Sequence, residues 1–250
     1  MHIGRLALSG ILASLLLSGC SEDVNSEDIR TSGIWAGINV TSTSVDRAEV
    51  EVALKVGGGN SNTYINLTGG DTLTASINGG SPQKLGAYMP DALNPAYKIY
   101  TAYFYGSDAG LANSNFTIAF DRPNDTNAPN SIVTIPATLA NFTHNAGTTS
   151  VSRAADAITF NWTPGSAGTK TLTLIIDGSC ITRQTITGIS DAAGTYTVNA
   201  PLLNKLGDTT SCVAIAELSI NQLGTLDGAY GEGGYIKAHK IVTTSFTSIP

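Results

Sequence analysis

The chain has 250 residues, of which 42% are apolar and 13% charged, with 27 Gly, 31 Thr and a net charge of −6. A composition so rich in Thr and Gly and so poor in charge argues against a coiled coil or long helical bundle, which takes about half its residues from Ala, Glu, Lys, Leu and Arg. Recurrent Val, Ile, Leu and aromatic residues argue against disorder over most of the chain, and the acidic balance without a basic stripe argues against a nucleic-acid partner.

In chain order, Met1 to Arg5 is a short basic start, and Leu6 to Leu17 is an apolar run of 12 residues broken only by Ser9, Gly10 and Ser14. A bilayer-spanning helix takes about 20 apolar residues, so this run reads as the apolar region of a signal peptide. The next residues, Leu17-Ser18-Gly19-Cys20, resemble the lipobox of bacterial lipoproteins. The resemblance implies a signal peptide over 1–19 and a diacylglyceryl thioether on Cys20, so that the partner is a lipid bilayer. Several acyl chains, at about 0.8 kcal/mol per buried methylene, make such an anchor durable. Ser rather than Asp at position 21 implies the outer membrane, with the protein facing either the periplasm or the surface. Loss of Arg5 leaves 12 basic against 19 acidic residues, a net charge of −7. Residues 20–32, with Glu22, Asp23, Glu27 and Asp28 and almost nothing apolar, read as the lipidated Cys followed by a disordered acidic tether.

Period-two alternation dominates beyond residue 32. Val50, Val52, Leu54 and Val56 fall on one face of a strand, with Glu49, Glu51 and Lys55 on the other. Gly-rich turns at 57–60, 69–71 and 79–82 separate strands expected at Tyr64 to Leu67 and Leu73 to Ile77. Further strands are expected at Tyr97 to Tyr105, Phe116 to Phe120 and Ile132 to Ile135, then at Ile158 to Trp162, Leu172 to Ile176, Ile181 to Ile186, Tyr196 to Val198, Val213 to Ile220 and Ile236 to Phe246. The expectation is an all-β protein of about 12 to 14 strands in two tandem antiparallel β-sandwich domains, 33–136 and 137–250, divided after the polar loop at 121–130. One larger sandwich is the alternative.

Ile158-Thr159-Phe160-Asn161-Trp162, with alternate apolar residues leading to a Trp, looks like the early core strand of a fibronectin type III or immunoglobulin-like domain. Asp191 to Tyr196 is similar to the tyrosine corner of such domains. The resemblance covers about 50 residues and implies the immunoglobulin-like architecture for the second domain. Val198, not Cys, stands two residues after Tyr196, and neither remaining Cys sits where immunoglobulin domains place theirs.

With Cys20 acylated, Cys180 and Cys212 are the remaining thiols of an exported chain and are expected to pair. Nucleophile elbows, zinc motifs, P-loops and dinucleotide fingerprints are absent from the sequence, and only His144 and His239 follow the signal segment. No catalytic residue, cofactor or metal is therefore assigned. Asp121, Asn124, Asp125 and Asn127 make an oxygen-rich cluster loosely like the calcium-binding linkers of cadherins. Turn propensity also accounts for it, and whether it takes calcium stays open at this point.

Four of the nine tyrosines lie between residues 97 and 105. Alternation puts Tyr97, Tyr103 and Tyr105 on one face, a candidate ligand-binding surface, since aromatic faces suit a sugar ring or a partner protein. A strand buried on both sides is the plainer reading. The sequence thus points to a non-enzymatic, membrane-anchored envelope lipoprotein that binds, adheres or supports, with a glycan or envelope protein as partner. A carboxylate-based glycan hydrolase is the competing reading, and a cleft holding two carboxylates would separate the two.

Overall fold

The structure, a computed structural model, describes residues 22–250 apart from 44–46, 92–96, 106–110, 137–138, 146–149, 165–169 and 206–208. The signal segment 1–19 and Cys20 lie outside the described residues. In the first half the strands are β1 (Glu22–Asn25), β2 (Ile34–Ser42), β3 (Arg47–Val56), β4 (Thr63–Asn66), β5 (Thr72–Ile77), β6 (Gln83–Lys84), β7 (Gly86–Tyr88), β8 (Ile99–Tyr105), β9 (Asn115–Asp121) and β10 (Ala128–Thr134). The second half adds β11 (Ala140–His144), β12 (Ser150–Ser152), β13 (Ile158–Thr163), β14 (Thr171–Asp177), β15 (Gln184–Ser190), β16 (Thr195–Val198), β17 (Cys212–Leu223) and β18 (Tyr235–Ile249). A single turn of α-helix spans Ala200–Leu203. The chain is all-β.

One large sheet runs β1-β4-β3-β2-β18-β17-β14-β15, with β8 also on β3, β7 on β8 and β12 on β18. Two smaller sheets, β10-β9-β5-β6 and β11-β13-β16, cover its two halves. Alternation explains the layers. Ile34, Ala36, Ile38 and Val40 of β2 and Ala48, Val50, Val52 and Leu54 of β3 are fully buried against Phe116, Ile118 and Phe120 of β9. Farther along, Leu172, Leu174 and Ile176 of β14 and Ala214, Ala216 and Leu218 of β17 pack with Phe160 and Trp162 of β13. The result is two sandwiches with separate cores.

The division at 136/137 needs correction, because the C-terminal region returns to the first core. Tyr230, Ile236 and Ala238 are buried there together with residues of β2 and β3. At 15 residues, or about 50 Å at 3.3 Å per residue, β18 is longer than one sandwich requires. It pairs with β2 over Tyr235 to Lys240, with β12 over Thr247 to Ile249 and with β17 along most of its length. Its pairings with β2 and β12 are parallel, as is β1 with β4, so the antiparallel sheets expected carry three parallel additions.

The tether also needs correction. Instead of standing free, residues 22–33 are folded onto the first sandwich: β1 lies beside β4, Asp23 is ion-paired with Lys98, and Ser26 and Thr31 are buried. The fastening is polar, which is why a scarcity of apolar residues was misleading. The Ser26 hydroxyl accepts from the Thr68 N–H at 2.9 Å, and the Thr31 hydroxyl donates to the Thr126 carbonyl at 2.6 Å.

The expected disulfide is present: Cys180 and Cys212 are bonded, with Cα atoms 5.7 Å apart. Trp162 and the 191–196 segment meet. The indole donates to the Asp191 carbonyl at 3.0 Å, and the Thr195 hydroxyl donates to the Phe160 carbonyl at 3.1 Å.

Candidate functional site

The outward face of the large sheet, over the first sandwich, carries a groove of about 450 Å³. Its shape follows from which residues alternate outward. On β2 these are Trp35, Gly37 and Asn39; on β3 they are Lys55, Ala53 and Glu51, and the register sets Trp35 beside Lys55, Gly37 beside Ala53 and Asn39 beside Glu51. Gly37 lets the Trp35 indole lie down across it, and the small Ala53 beside it leaves a hollow between the large flanking rows. Tyr235 of β18 stands opposite Gly37, and Tyr64 of β4 opposite Lys55, so aromatic rings wall it on both sides.

Trp35 is held rigidly. Its indole N–H donates to the Gly233 carbonyl at 2.7 Å, and its ring meets Tyr235 edge-on with centroids 5.8 Å apart. Across the groove, Tyr64 and Tyr97 pack with centroids 5.0 Å apart. The Lys55 ammonium donates to the Gly59 carbonyl at 2.9 Å and lies 4.9 Å from the Tyr64 ring centre and 5.7 Å from that of Trp35. Burial, followed by the charge of Glu49, pushes the Glu51 carboxyl above its ordinary range. Burial also raises the Tyr64 and Tyr97 phenols. Asn39 Oδ1 is buried with no hydrogen-bond partner among the described residues.

Of the tyrosines singled out in the sequence, only Tyr97 lines this groove. Tyr103 and Tyr105 point outward from β8 beyond it, 38% and 71% exposed. Tyr103 is not idle, since Arg47 stacks on its ring at 4.4 Å and the nearby Glu49 carboxylate raises its phenol above the ordinary value. Tyr100, on the opposite face, is a core residue whose hydroxyl donates to the Ile65 carbonyl at 2.8 Å and accepts from the Leu67 N–H at 3.0 Å. Trp35, Asn39, Tyr64 and Tyr235 were missed by sequence reasoning. The available signal was the large-small-large order of outward residues on two strands, visible only once their register is known.

The oxygen-rich loop at 121–127 is organised around a guanidinium. Arg122, its side chain 2% exposed, pairs with Asp71 at 2.9 Å and with Asp125 at 3.1 Å. It also donates to the Ile29 carbonyl at 2.8 Å, to the Thr31 hydroxyl at 3.0 Å and to the Ser26 carbonyl. Of the cluster's oxygens, those of Asp125 face this internal cation and Asn127 Oδ1 accepts from the Arg122 backbone N–H, and the guanidinium clamps the N-terminal segment. Among the described residues no group of three or more His, Cys, Asp or Glu side chains is arranged to hold a metal ion. The disulfide belongs to the second sandwich and takes no part in the groove.

No protein-family model matches the sequence, and no curated protein matches it either. Among solved structures, a segment of two fibronectin type III domains from chicken tenascin is similar over 84% of this chain and 96% of its own length, at 9% identity and a TM-score of 0.24.

Proposed function

We propose that this chain is a non-enzymatic binding lipoprotein of the bacterial envelope, anchored in the outer membrane through acylated Cys20 and presenting the aromatic face of its first sandwich to a ligand. The observation that carries the binding part is the groove itself: four aromatic rings, two amides, an ammonium and one carboxylate set around Ala53. Rigid strands hold these groups, as a preorganised site requires. Tyr103 and Tyr105 extend the face along β8 and are proposed as its outer contacts.

The lining supports binding over hydrolysis. Two-carboxylate glycoside cleavage needs an acid and a base flanking the scissile bond, and Glu51 is the carboxylate in the described lining. Glu49, on the same face of the strand, lies outside that lining.

The anchor has a geometric consequence. Since β1 begins at Glu22, only Ser21 separates Cys20 from the sheet. At about 3.3–3.6 Å per residue, that leash holds the first sandwich within about 10 Å of the lipid attachment point. The ligand is therefore to be sought close to the bilayer surface.

Metabolic labelling with a fatty acid, followed by membrane fractionation, tests the anchor. Wild type is expected to incorporate label and sediment with membranes, and Cys20→Ala to incorporate none. Equal labelling of the two proteins contradicts the proposal.

A further inference from the structure

The geometry points to a neutral saccharide as the ligand of the groove, with ring faces on Trp35 and Tyr235 and hydroxyls on Asn39, Glu51 and Lys55. This rests on the reading of the groove as a binding site. Three other classes of ligand fit its chemistry less well.

A cationic ligand would seek the aromatic faces and there meet like charge, from the Lys55 ammonium near Tyr64 and Trp35 and from Lys237, 4.8 Å from the Tyr235 ring centre. An anion would meet Glu51, with Glu49 next to it on the same face. An extended peptide gains much of its affinity by adding to a free strand edge. Around the groove, however, β2 is paired by β3 and β18, and β3 by β2 on one side and by β4 and β8 on the other. The floor offers side chains and no unpaired backbone ladder.

What remains is a ligand with an apolar face, no charge, and groups that both donate and accept. A pyranose ring has these properties. Its C–H face covers an aromatic ring, and each hydroxyl can donate to Glu51 or Asn39 Oδ1 or accept from Lys55. The unpartnered Asn39 oxygen is the second, independent sign. A buried acceptor left unpaired is costly and calls for an explanation, and a ligand hydroxyl reached by a small rotation of the amide supplies one. A groove of about 450 Å³ also falls within the usual range of small-ligand sites, about 300–1,000 Å³.

The test is a titration of the full lipidated chain, held in a polyoxyethylene detergent that carries neither sugar nor choline, followed through the Trp35 indole N–H resonance. The probes are chitotetraose, cellotetraose and maltotetraose, with acetylcholine and tetra-alanine as the competing classes. At least one tetrasaccharide is expected to move that resonance saturably. Asn39→Ala and Tyr235→Ala should weaken the effect about tenfold or more while leaving circular dichroism and melting temperature unchanged, and Glu51→Gln offers a second, conservative reading should either variant fold poorly. Silence with all three saccharides overturns the proposal, as does a response equal in wild type and variants. If acetylcholine or tetra-alanine alone moves the resonance, the saccharide class falls and the groove stands as a binding site; silence with every probe removes both.

Discussion

The indole of Trp35 lies across Gly37, two residues farther along the same strand: a Cβ built on Gly37 would stand 2.5 Å from the nearest ring carbon. Glycine here serves close approach and not an unusual backbone angle. Gly37→Ala is therefore expected to lift the ring from its seat, break its bond to the Gly233 carbonyl and shift the Trp35 emission to the red. Ligand affinity should fall about tenfold or more. Unchanged emission and affinity would show that the seat is not needed.

Arg122 is predicted to be the residue whose loss costs the first sandwich most. Arg122→Met leaves the buried Asp71 carboxylate without its partner, a kind of change worth about 3–5 kcal/mol. It also removes the contacts that hold residues 26–31. Urea unfolding should show the loss, and limited proteolysis should cut within 22–33 in the variant but not in wild type. An uncut variant of wild-type stability contradicts the role of Arg122 as a clamp.

Each sandwich carries one tryptophan, Trp35 in the first and Trp162 in the second. Because β18 is hydrogen-bonded into both halves, the two are predicted to unfold together. Single-tryptophan variants should report one common urea midpoint; two separated midpoints would mean that the shared strand does not couple the cores. Reduction of the Cys180–Cys212 bond, which closes a span of 32 residues, should lower that common midpoint, through a loss of about 3 to 4 kcal/mol of stability on the loop-closure estimate.

Glu51 gives a pH signature. Its folded pKa lies above the unfolded value of 4.5, through burial first and the charge of Glu49 second. The folded state therefore holds the proton more tightly, and Glu51 contributes stability that is complete below 4.5 and lost as pH rises through the folded value. The groups facing it are Glu49 and Lys55 on its own strand, Asn39 on β2 and Tyr97 beside β8. Glu51→Gln is expected to raise the melting temperature at neutral pH, with the gain shrinking as pH falls toward 4. A variant less stable than wild type at neutral pH would assign Glu51 to a favourable ion pair instead.

Much of the fold was legible because it rests on local alternation. The β3 strand, with Val50, Val52 and Leu54 inward, lies where the pattern placed it, and the tyrosine segment splits into an inner Tyr100 and outer Tyr103 and Tyr105. The isolated cysteine pair was equally plain. What the pattern could not carry was long-range pairing. Tyr235 meets Gly37 through a parallel register between β2 and β18 that no local turn encodes, and the groove exists only because of that register. The N-terminal segment failed for a related reason, since its partners, Arg122 and Asp125, lie more than 90 residues away.

Hydrogen exchange of the full chain, measured with and without solubilised polymers from its own envelope, tests the central claim most directly. The account predicts added protection confined to 35–39, 51–64, 97–103 and 233–237, and its disappearance in Trp35→Ala. Protection centred on the outer face of β17 or the edge strand β15, or none anywhere, would contradict it.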